Sequence, residues 1–149
     1  MTSLLAIDPG ACTGYALFRK YAEGRWALVN AGAYPPDRRV FLEPYTVVIE
    51  SPQIYPNSKA RPADILTLAR IVGRYQERYD SSEQVLVSPH EWKGSVNGDI
   101  MIARIESALN RTEIEIAARA DLPKSKYHNM IDAIGIGKWA LRQPFARKL

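Results

Sequence analysis

The sequence is poor in cysteine and contains no long apolar segment. Cys12 is the only cysteine among the 149 residues, which excludes a disulfide framework and a cysteine-based zinc site. No apolar run approaches the roughly 18 residues that span a membrane, and Asp8 interrupts the first run before a signal-peptide core is reached. We therefore expect a protein of a reducing, cytoplasmic compartment.

The charge is moderate in amount and uneven in distribution. The chain is 46% hydrophobic and 24% charged, as expected for one globular domain over residues 1–149. The net charge is +4, and residues 119–149 concentrate it, with seven Lys or Arg against two Asp. Such a basic segment indicates a polyanionic partner, although a solvated basic helix face has the same composition.

Hydrophobic patterning predicts a mixed α/β domain. Strands are predicted at residues 3–8, 13–19, 25–34, 46–49 and 84–88, the third of them ended by Pro35-Pro36-Asp37. Helices are predicted at residues 62–79, 99–109 and 125–141, with Ser125 as the cap of the last, while 111–119 continues or restarts the second. Three hairpin-connected strands followed by β-α-β units imply a mixed five-stranded β-sheet flanked by α-helices.

Two acids stand at the ends of apolar strands. Asp8 closes the run 4–7, and Glu50 closes the run 46–49. If these strands are neighbours, both carboxylates lie at one edge of the sheet, where they repel each other unless a cation lies between them. A helix cap or turn acid at Asp8 and a surface salt bridge at Glu50 are the structural alternatives.

A third acid is expected from the last helix. Asp132 lies among apolar neighbours, which is unusual for a surface acid. His128 and Asn129 precede it by four and three residues, so either side chain can share its helix face. A hydrogen-bonded interfacial histidine is the alternative for His128. Gly135 and Gly137 permit close packing of this helix against the sheet.

Asp8, Glu50 and Asp132 together would form an oxygen-rich site. Such ligands suit Mg²⁺ or Mn²⁺ and not zinc. A pair of these ions in one active site can activate water and stabilise the leaving oxygen in phosphodiester hydrolysis. The residues therefore favour a two-metal nuclease.

Four motifs, in order along nearly the whole chain, resemble those of the RuvC-type Holliday junction resolvases. They are Ile7-Asp8-Pro9-Gly10 with Thr13-Gly14, Val48-Ile49-Glu50, Ser88-Pro89-x-x-Trp92-Lys93, and Asn129-x-x-Asp132-Ala133-x-Gly135-Ile136. The resemblance implies an RNase H-like fold. It also implies a homodimer that uses divalent metal to nick two strands of a four-way DNA junction in recombination and repair. Its location would be a bacterial cytoplasm or, for a viral protein, that of the host.

The resemblance also implies roles for single residues. Asp8, Glu50 and Asp132 correspond to metal ligands, and Lys93 corresponds to a lysine near the active site that stabilises phosphate charge. The family usually has a further acid or histidine three residues before the last Asp, where this chain has Asn129. His128 is favoured as the fourth ligand because imidazole binds metal better than an amide. A surface position is the alternative for Lys93. For Trp92, packing in the core or against a helix is expected in preference to stacking on DNA.

The loop after Glu50 is the predicted junction-contacting element. The family's aromatic probe of the junction centre corresponds to Gln53, and Tyr55 is a nearby aromatic that can stack on a base. Phosphate contacts are expected from polar and basic residues, which are Asn57, Ser58, Lys59 and Arg61 in this loop and Lys124 and Lys126 in the basic segment. An ordinary proline-rich loop is the alternative.

Two other functions remain compatible with the sequence. A branched-DNA-binding protein without cleavage stays open because Asn129 occupies a ligand position. An RNase H-like nuclease acting on RNA stays open because phosphate contacts carry little information about the sugar. An actin-like ATPase is excluded because 149 residues are too few for its two large domains. The helix 62–79 and the segment 99–118 are the candidate dimer interfaces.

Overall fold

The computed structural model describes residues 2–35, 43–57 and 59–149. Their elements are β1 (Ser3–Asp8), β2 (Thr13–Lys20), β3 (Trp26–Tyr34), β4 (Thr46–Glu50), α1 (Pro62–Arg78), β5 (Glu83–Val87), α2 (Pro89–Lys93), α3 (Gly98–Ser107), α4 (Arg111–Arg119), α5 (Lys124–Ala140) and a 3₁₀ helix (Pro144–Lys148). Pro36, Asp37 and Ser58 lie outside the described residues, so their expected roles in ending a strand and contacting phosphate stay predictions.

The described strands form a mixed sheet in the order β3-β2-β1-β4-β5. β1, β2 and β3 pair antiparallel through short connections, whereas β1 pairs parallel with β4 and β4 pairs parallel with β5. The predicted mixed five-stranded sheet is confirmed. β1 and β4 are neighbours, which is the condition for placing Asp8 and Glu50 at one edge.

Helices pack on both faces of the sheet. The central strands β1 and β4 are therefore buried on both sides, which explains their uninterrupted apolar runs. On one face, α5 contributes Met130, Ile131 and Ile134, each fully buried, and α3 and α4 pack around it. On the other face, α1 contributes Val72 and Tyr75. In the part of the chain that the structure describes, no helix is long and apolar enough to cross a membrane.

The helix starts differ in part from the predicted ones. Helix α5 begins at Lys124 after Pro123, and no side chain caps it. The prediction of Ser125 as the cap was wrong, because the restricted φ of Pro123 already sets the entry into the helix. Residues 111–119 restart as a separate helix, since Asn110 and Glu113 form a reciprocal capping box at its start.

Helix α2 is absent from the periodicity-based prediction because five residues are too few for an apolar stripe. Its start is nevertheless encoded locally. The Ser88 hydroxyl accepts from the Glu91 N–H at 3.2 Å, and the Glu91 carboxylate accepts from the Ser88 N–H at 3.0 Å. This capping box begins a helix directly after β5, and the helix carries Trp92 and Lys93. The 3₁₀ helix at the end is also absent from the prediction.

Two glycines of α5 allow close packing, each against a different partner. A Cβ at Gly137 would lie 2.2 Å from a ring carbon of Phe18, so this glycine packs on strand β2 as predicted. A Cβ at Gly135 would instead meet Trp92 and Ile105. The prediction that Gly135 also packs on the sheet was wrong, because that side of α5 faces helices α2 and α3.

The backbone of helix α5 packs directly on the backbone of strand β2 at Gly14. A Cβ at this position would lie 1.8 Å from the backbone carbonyl oxygen of Asn129. Backbone cannot yield as the end of a flexible side chain can. Gly14 therefore sets the distance between the sheet and the first turns of α5.

We expect Gly14→Ala to destabilise the fold by about 3 kcal/mol or more, because the added methyl overpacks a backbone contact. Chemical denaturation measures this loss. Gly98→Ala is the matched control, since a Cβ there meets no atom within 4 Å, and it should change stability by less than about 1 kcal/mol. Equal stabilities of the two variants would contradict this account of the α5 contact.

Candidate active site

Asp8 stands where β1 ends and a tight turn begins. The buried Thr13 closes this turn, because its hydroxyl accepts from the Gly10 N–H at 3.3 Å and donates to the Gly10 carbonyl at 3.2 Å. Strand β2 then starts in the register that pairs Gly14 with Asp8. The carboxylate of Asp8 is thus held at the sheet edge that α5 crosses.

Glu50 reaches the same edge through the parallel pairing of β1 and β4. Ile7 pairs with Ile49, and Asp8 and Glu50 are the next residues of the two strands. On its other side Glu50 pairs with Val87 of β5, and the following N–H, of Ser51, donates to the Val87 carbonyl at 2.8 Å. Both backbone neighbours of Glu50 are therefore fixed by the sheet.

Asp132 faces the two strand acids from α5. Its charge raises the pKa of both Asp8 and Glu50, so the three carboxylates lie within electrostatic reach of one another. Each keeps some accessible surface, which leaves the edge open to ions and substrate. The structure thus brings together the three acids that the sequence singled out from separate elements.

Burial is the largest cause of a raised pKa at all three acids. It raises the pKa of Asp8 well above its ordinary 3.8, and repulsion from Glu50 and Asp132 adds to the effect. Burial likewise raises the pKa of Glu50 and of Asp132. Loss of hydration and like charge both disfavour the ionised form, so this edge has the electrostatics of a cation site.

Lys93 supplies positive charge to the whole acidic group. This half-buried lysine lowers the pKa of Asp8, Glu50 and Asp132. Its Nζ lies 5.3 Å from the centre of the Trp92 ring, a cation–π contact. The sequence left Lys93 open between a surface and an active-site position, and the structure places it at the acidic edge.

His128 and Asn129 differ in how they face Asp132. His128 is exposed, and its charge lowers the pKa of Asp132 one turn further along α5. Asn129 is half-buried, and its carbonyl packs over Gly14. Of the two, His128 is the side chain that interacts electrostatically with the acidic group.

The donor set fits a hard divalent cation in its chemistry. Three carboxylates from three elements offer the oxygen ligands that Mg²⁺ and Mn²⁺ prefer. Within residues 2–35, 43–57 and 59–149, however, no three His, Cys, Asp or Glu side chains are grouped closely enough to hold a metal ion. One oxygen of Glu50 is already engaged, since it accepts a hydrogen bond from the Trp92 indole.

The expected DNA-contacting residues that the structure describes lie on the surface. Gln53, Tyr55, Asn57, Lys59 and Arg61 are exposed in the loop between β4 and α1, and Lys124 and Lys126 are exposed in the first turn of α5. The Arg61 guanidinium binds Asp64 through two hydrogen bonds of 2.9 and 3.1 Å. Because this pair is exposed, it holds Arg61 only weakly.

Sequence reasoning missed two features of this region. Ile54, next to Tyr55, is 80% exposed. The sequence did not predict this exposure, because an apolar residue in a proline-rich loop can be either buried or exposed. The core position of Trp92 was predicted, but its hydrogen bond to Glu50 was not. The Ser88–Glu91 capping box was the available signal, since it starts the helix that brings Trp92 back to the end of β4.

Removing the charge of Asp8 should stabilise the protein in metal-free buffer. The pKa of Asp8 is higher in the folded chain than its unfolded value near 3.8. The free energy of unfolding therefore falls as the pH rises from about 3.8 to the folded-state pKa, and it stays lower at every higher pH. We expect Asp8→Asn to unfold at a higher temperature at pH 7 and to lose this advantage below about pH 4. Each kcal/mol corresponds to about 2–4 °C for a chain of this size.

Thermal unfolding in EDTA from pH 3 to pH 8 checks this expectation. Asp80→Asn removes an exposed acid and should leave the pH profile unchanged. An unfolding temperature of Asp8→Asn at or below that of the original chain at pH 7 would contradict the electrostatic account.

Solved structures with this fold were found, whereas no protein-family model and no curated protein sequence matches the chain. The fowlpox virus Holliday junction resolvase superposes with a TM-score of 0.60 and 12% identity, over 94% of this chain and 97% of that one. Thermus thermophilus RuvC superposes with a TM-score of 0.59 and 15% identity, over 99% and 96%. The fowlpox enzyme bound to Holliday junction DNA gives 0.54 and 13%, over 95% and 100%. The chain has the fold of the RuvC-type Holliday junction resolvases.

Proposed function

We propose that this chain is a metal-dependent endonuclease that resolves four-way DNA junctions by paired nicking. The observation that carries the proposal is the convergence of Asp8, Glu50 and Asp132, from β1, β4 and α5, with Lys93 at one open sheet edge. The shared fold supports it, because the similar solved structures are Holliday junction resolvases and include the fowlpox resolvase with junction DNA bound.

Asp8, Glu50 and Asp132 would hold Mg²⁺ or Mn²⁺, two ions in each active site, with His128 as the fourth ligand. His128 is preferred to Asn129 because neutral imidazole binds metal better than an amide. When bound, such ions activate water for attack on a phosphodiester and stabilise the leaving oxygen. Lys93 faces the same acids and would stabilise the charge that develops on the phosphate.

The DNA would lie along the acidic edge between two exposed elements. The loop after Glu50 presents Gln53 and Tyr55 for base contacts, with Asn57, Lys59 and Arg61 for phosphate contacts. Lys124 and Lys126 at the start of α5 extend the phosphate-binding surface on the side of Asp132. Their positive charge would offset the repulsion between the acids and the DNA backbone.

A homodimer would place two such sites to match the symmetry of a four-way junction. We propose α1 as its interface, because residues 62–70 of this helix are exposed or half-buried while its buried residues lie further along. Leu66 is 59% exposed on this segment, between the half-buried Ile65 and Leu68. The alternative segment 99–118 has less surface free for a partner subunit, because α3 packs on α5 and α4 packs on β3 within the same chain.

We expect the purified chain to nick a synthetic four-way junction with Mg²⁺ or Mn²⁺. Asp8→Asn should reduce the nicking rate by at least about a hundredfold and retain junction binding, because the basic surface is intact. Asp80→Asn is the control that removes an exposed acid. The same assay on three-way DNA, duplex DNA and an RNA–DNA hybrid measures substrate preference.

Two outcomes would overturn the proposed function. Junction binding without nicking in either metal would favour a branched-DNA-binding protein, and preferred cutting of the RNA strand would favour an RNase H-like activity. In the same assay, a larger loss of nicking rate for Asn129→Ala than for His128→Ala would indicate that Asn129, and not His128, is the fourth ligand.

We expect Leu66→Lys to convert a dimer into a monomer, because it places a charge in the apolar surface proposed as the interface. Sedimentation velocity measures the state. Ile114→Lys, on α4 and 53% exposed, is the matched variant for the alternative interface and should remain dimeric. The reverse pattern would move the interface to the segment 99–118.

A further inference from the structure

Trp92 carries a buried donor whose partner is an acid of the proposed metal site. The side chain is 7% exposed, and its indole Nε1–H donates to the Oε2 of Glu50. A buried indole N–H needs an acceptor. The contact therefore restricts the carboxylate as well as the indole, and it occupies one of the two oxygens of Glu50.

The indole is itself held in place from two sides. The capping box of Ser88 and Glu91 fixes the start of α2 directly after β5. From the other side α5 presses on the ring, since a Cβ at Gly135 would lie 2.9 Å from the Trp92 Cζ3 atom. Gly135 is three residues after Asp132, so the same ring spans the space between the strand that carries Glu50 and the helix that carries Asp132.

The ring also seats the lysine of the site. Lys93 follows Trp92 in α2, and its Nζ lies 5.3 Å from the centre of the Trp92 ring. One rigid aromatic side chain thus contacts Glu50 by its edge, Lys93 by its ring and α5 by its far end.

We propose that Trp92 is a positioning residue that holds one carboxylate oxygen of Glu50, so that the other oxygen is presented to a divalent cation. This rests on the proposed function, in which Glu50 is a metal ligand. Groups that orient a ligand in this way typically contribute 10- to 100-fold to metal affinity. A residue that only filled the core would affect stability and leave metal affinity unchanged.

Trp92→Phe tests the role because it keeps an aromatic ring and removes the N–H. We expect Mg²⁺ to bind the folded variant about 10- to 100-fold more weakly by isothermal titration calorimetry. Trp139→Phe is the matched control, a half-buried tryptophan packed on the same core, and its Mg²⁺ affinity should stay within about twofold. Unchanged affinity in Trp92→Phe would overturn the role of Trp92.

A spectroscopic measurement tests the proposal independently of that variant's folding. The chain has three tryptophans, so Trp26→Phe with Trp139→Phe leaves Trp92 as the only indole. We expect its emission to change on Mg²⁺ titration, in step with the binding curve, and Glu50→Gln to abolish the change. Emission that stays constant while Mg²⁺ binds would overturn the proposal.

Failure of this proposal and failure of the proposed function are distinguishable. An original chain that binds Mg²⁺ and nicks junctions, with equal affinity in Trp92→Phe, overturns only the role of Trp92. An original chain that binds no Mg²⁺ overturns the metal-dependent function and, with it, the role of Trp92.

Discussion

The parallel pairing of β1 with β4 is the interaction on which the acidic edge depends. It makes two strands that are distant in sequence end at the same level, so that Asp8 and Glu50 become neighbours. The next parallel pair, β4 with β5, brings α2 and Lys93 to the same edge. Helix α5 then completes the group from one face, at a distance that Gly14 sets.

The acidic edge works against the stability of the fold that carries it. Burial raises the pKa of Asp8, Glu50 and Asp132, and like charge raises it further at Asp8 and Glu50. The ionised forms are therefore destabilised in the folded chain. Lys93 offsets part of this repulsion, and the Trp92 N–H offsets part of it at Glu50. Such a balance is typical of functional sites, where perturbed titration behaviour concentrates.

The strands and long helices were predictable because their apolar patterns repeat over enough residues to identify a period. Strand β1 and helix α1 illustrate this, since their predicted ranges agree with the structure within a residue or two. The start of α5 was predicted wrongly because a serine and a proline gave competing local signals. Helix α2 escaped prediction because it is shorter than two helical turns.

The site was predictable as a set of residues and not as an arrangement. Acids that interrupt or end apolar runs are unusual, so Asp8, Glu50 and Asp132 could be selected from the sequence alone. The packing partner of Gly135 could not be chosen in this way. A glycine in a helix indicates that another element packs closely, but it does not indicate which element. The hydrogen bond from Trp92 to Glu50 joins residues 42 positions apart, which no local pattern encodes.

The sequence by itself determined the element types, the basic end of the chain and the three acids, because each is a property of short-range pattern or composition. Only the tertiary structure decided that Lys93 faces all three acids, that Trp92 holds Glu50, and that His128 as well as Lys93 acts on Asp132 by its charge. The physical reason is that these relations depend on strand order and on the close approach of α5 to the sheet, both of which arise from contacts between distant segments.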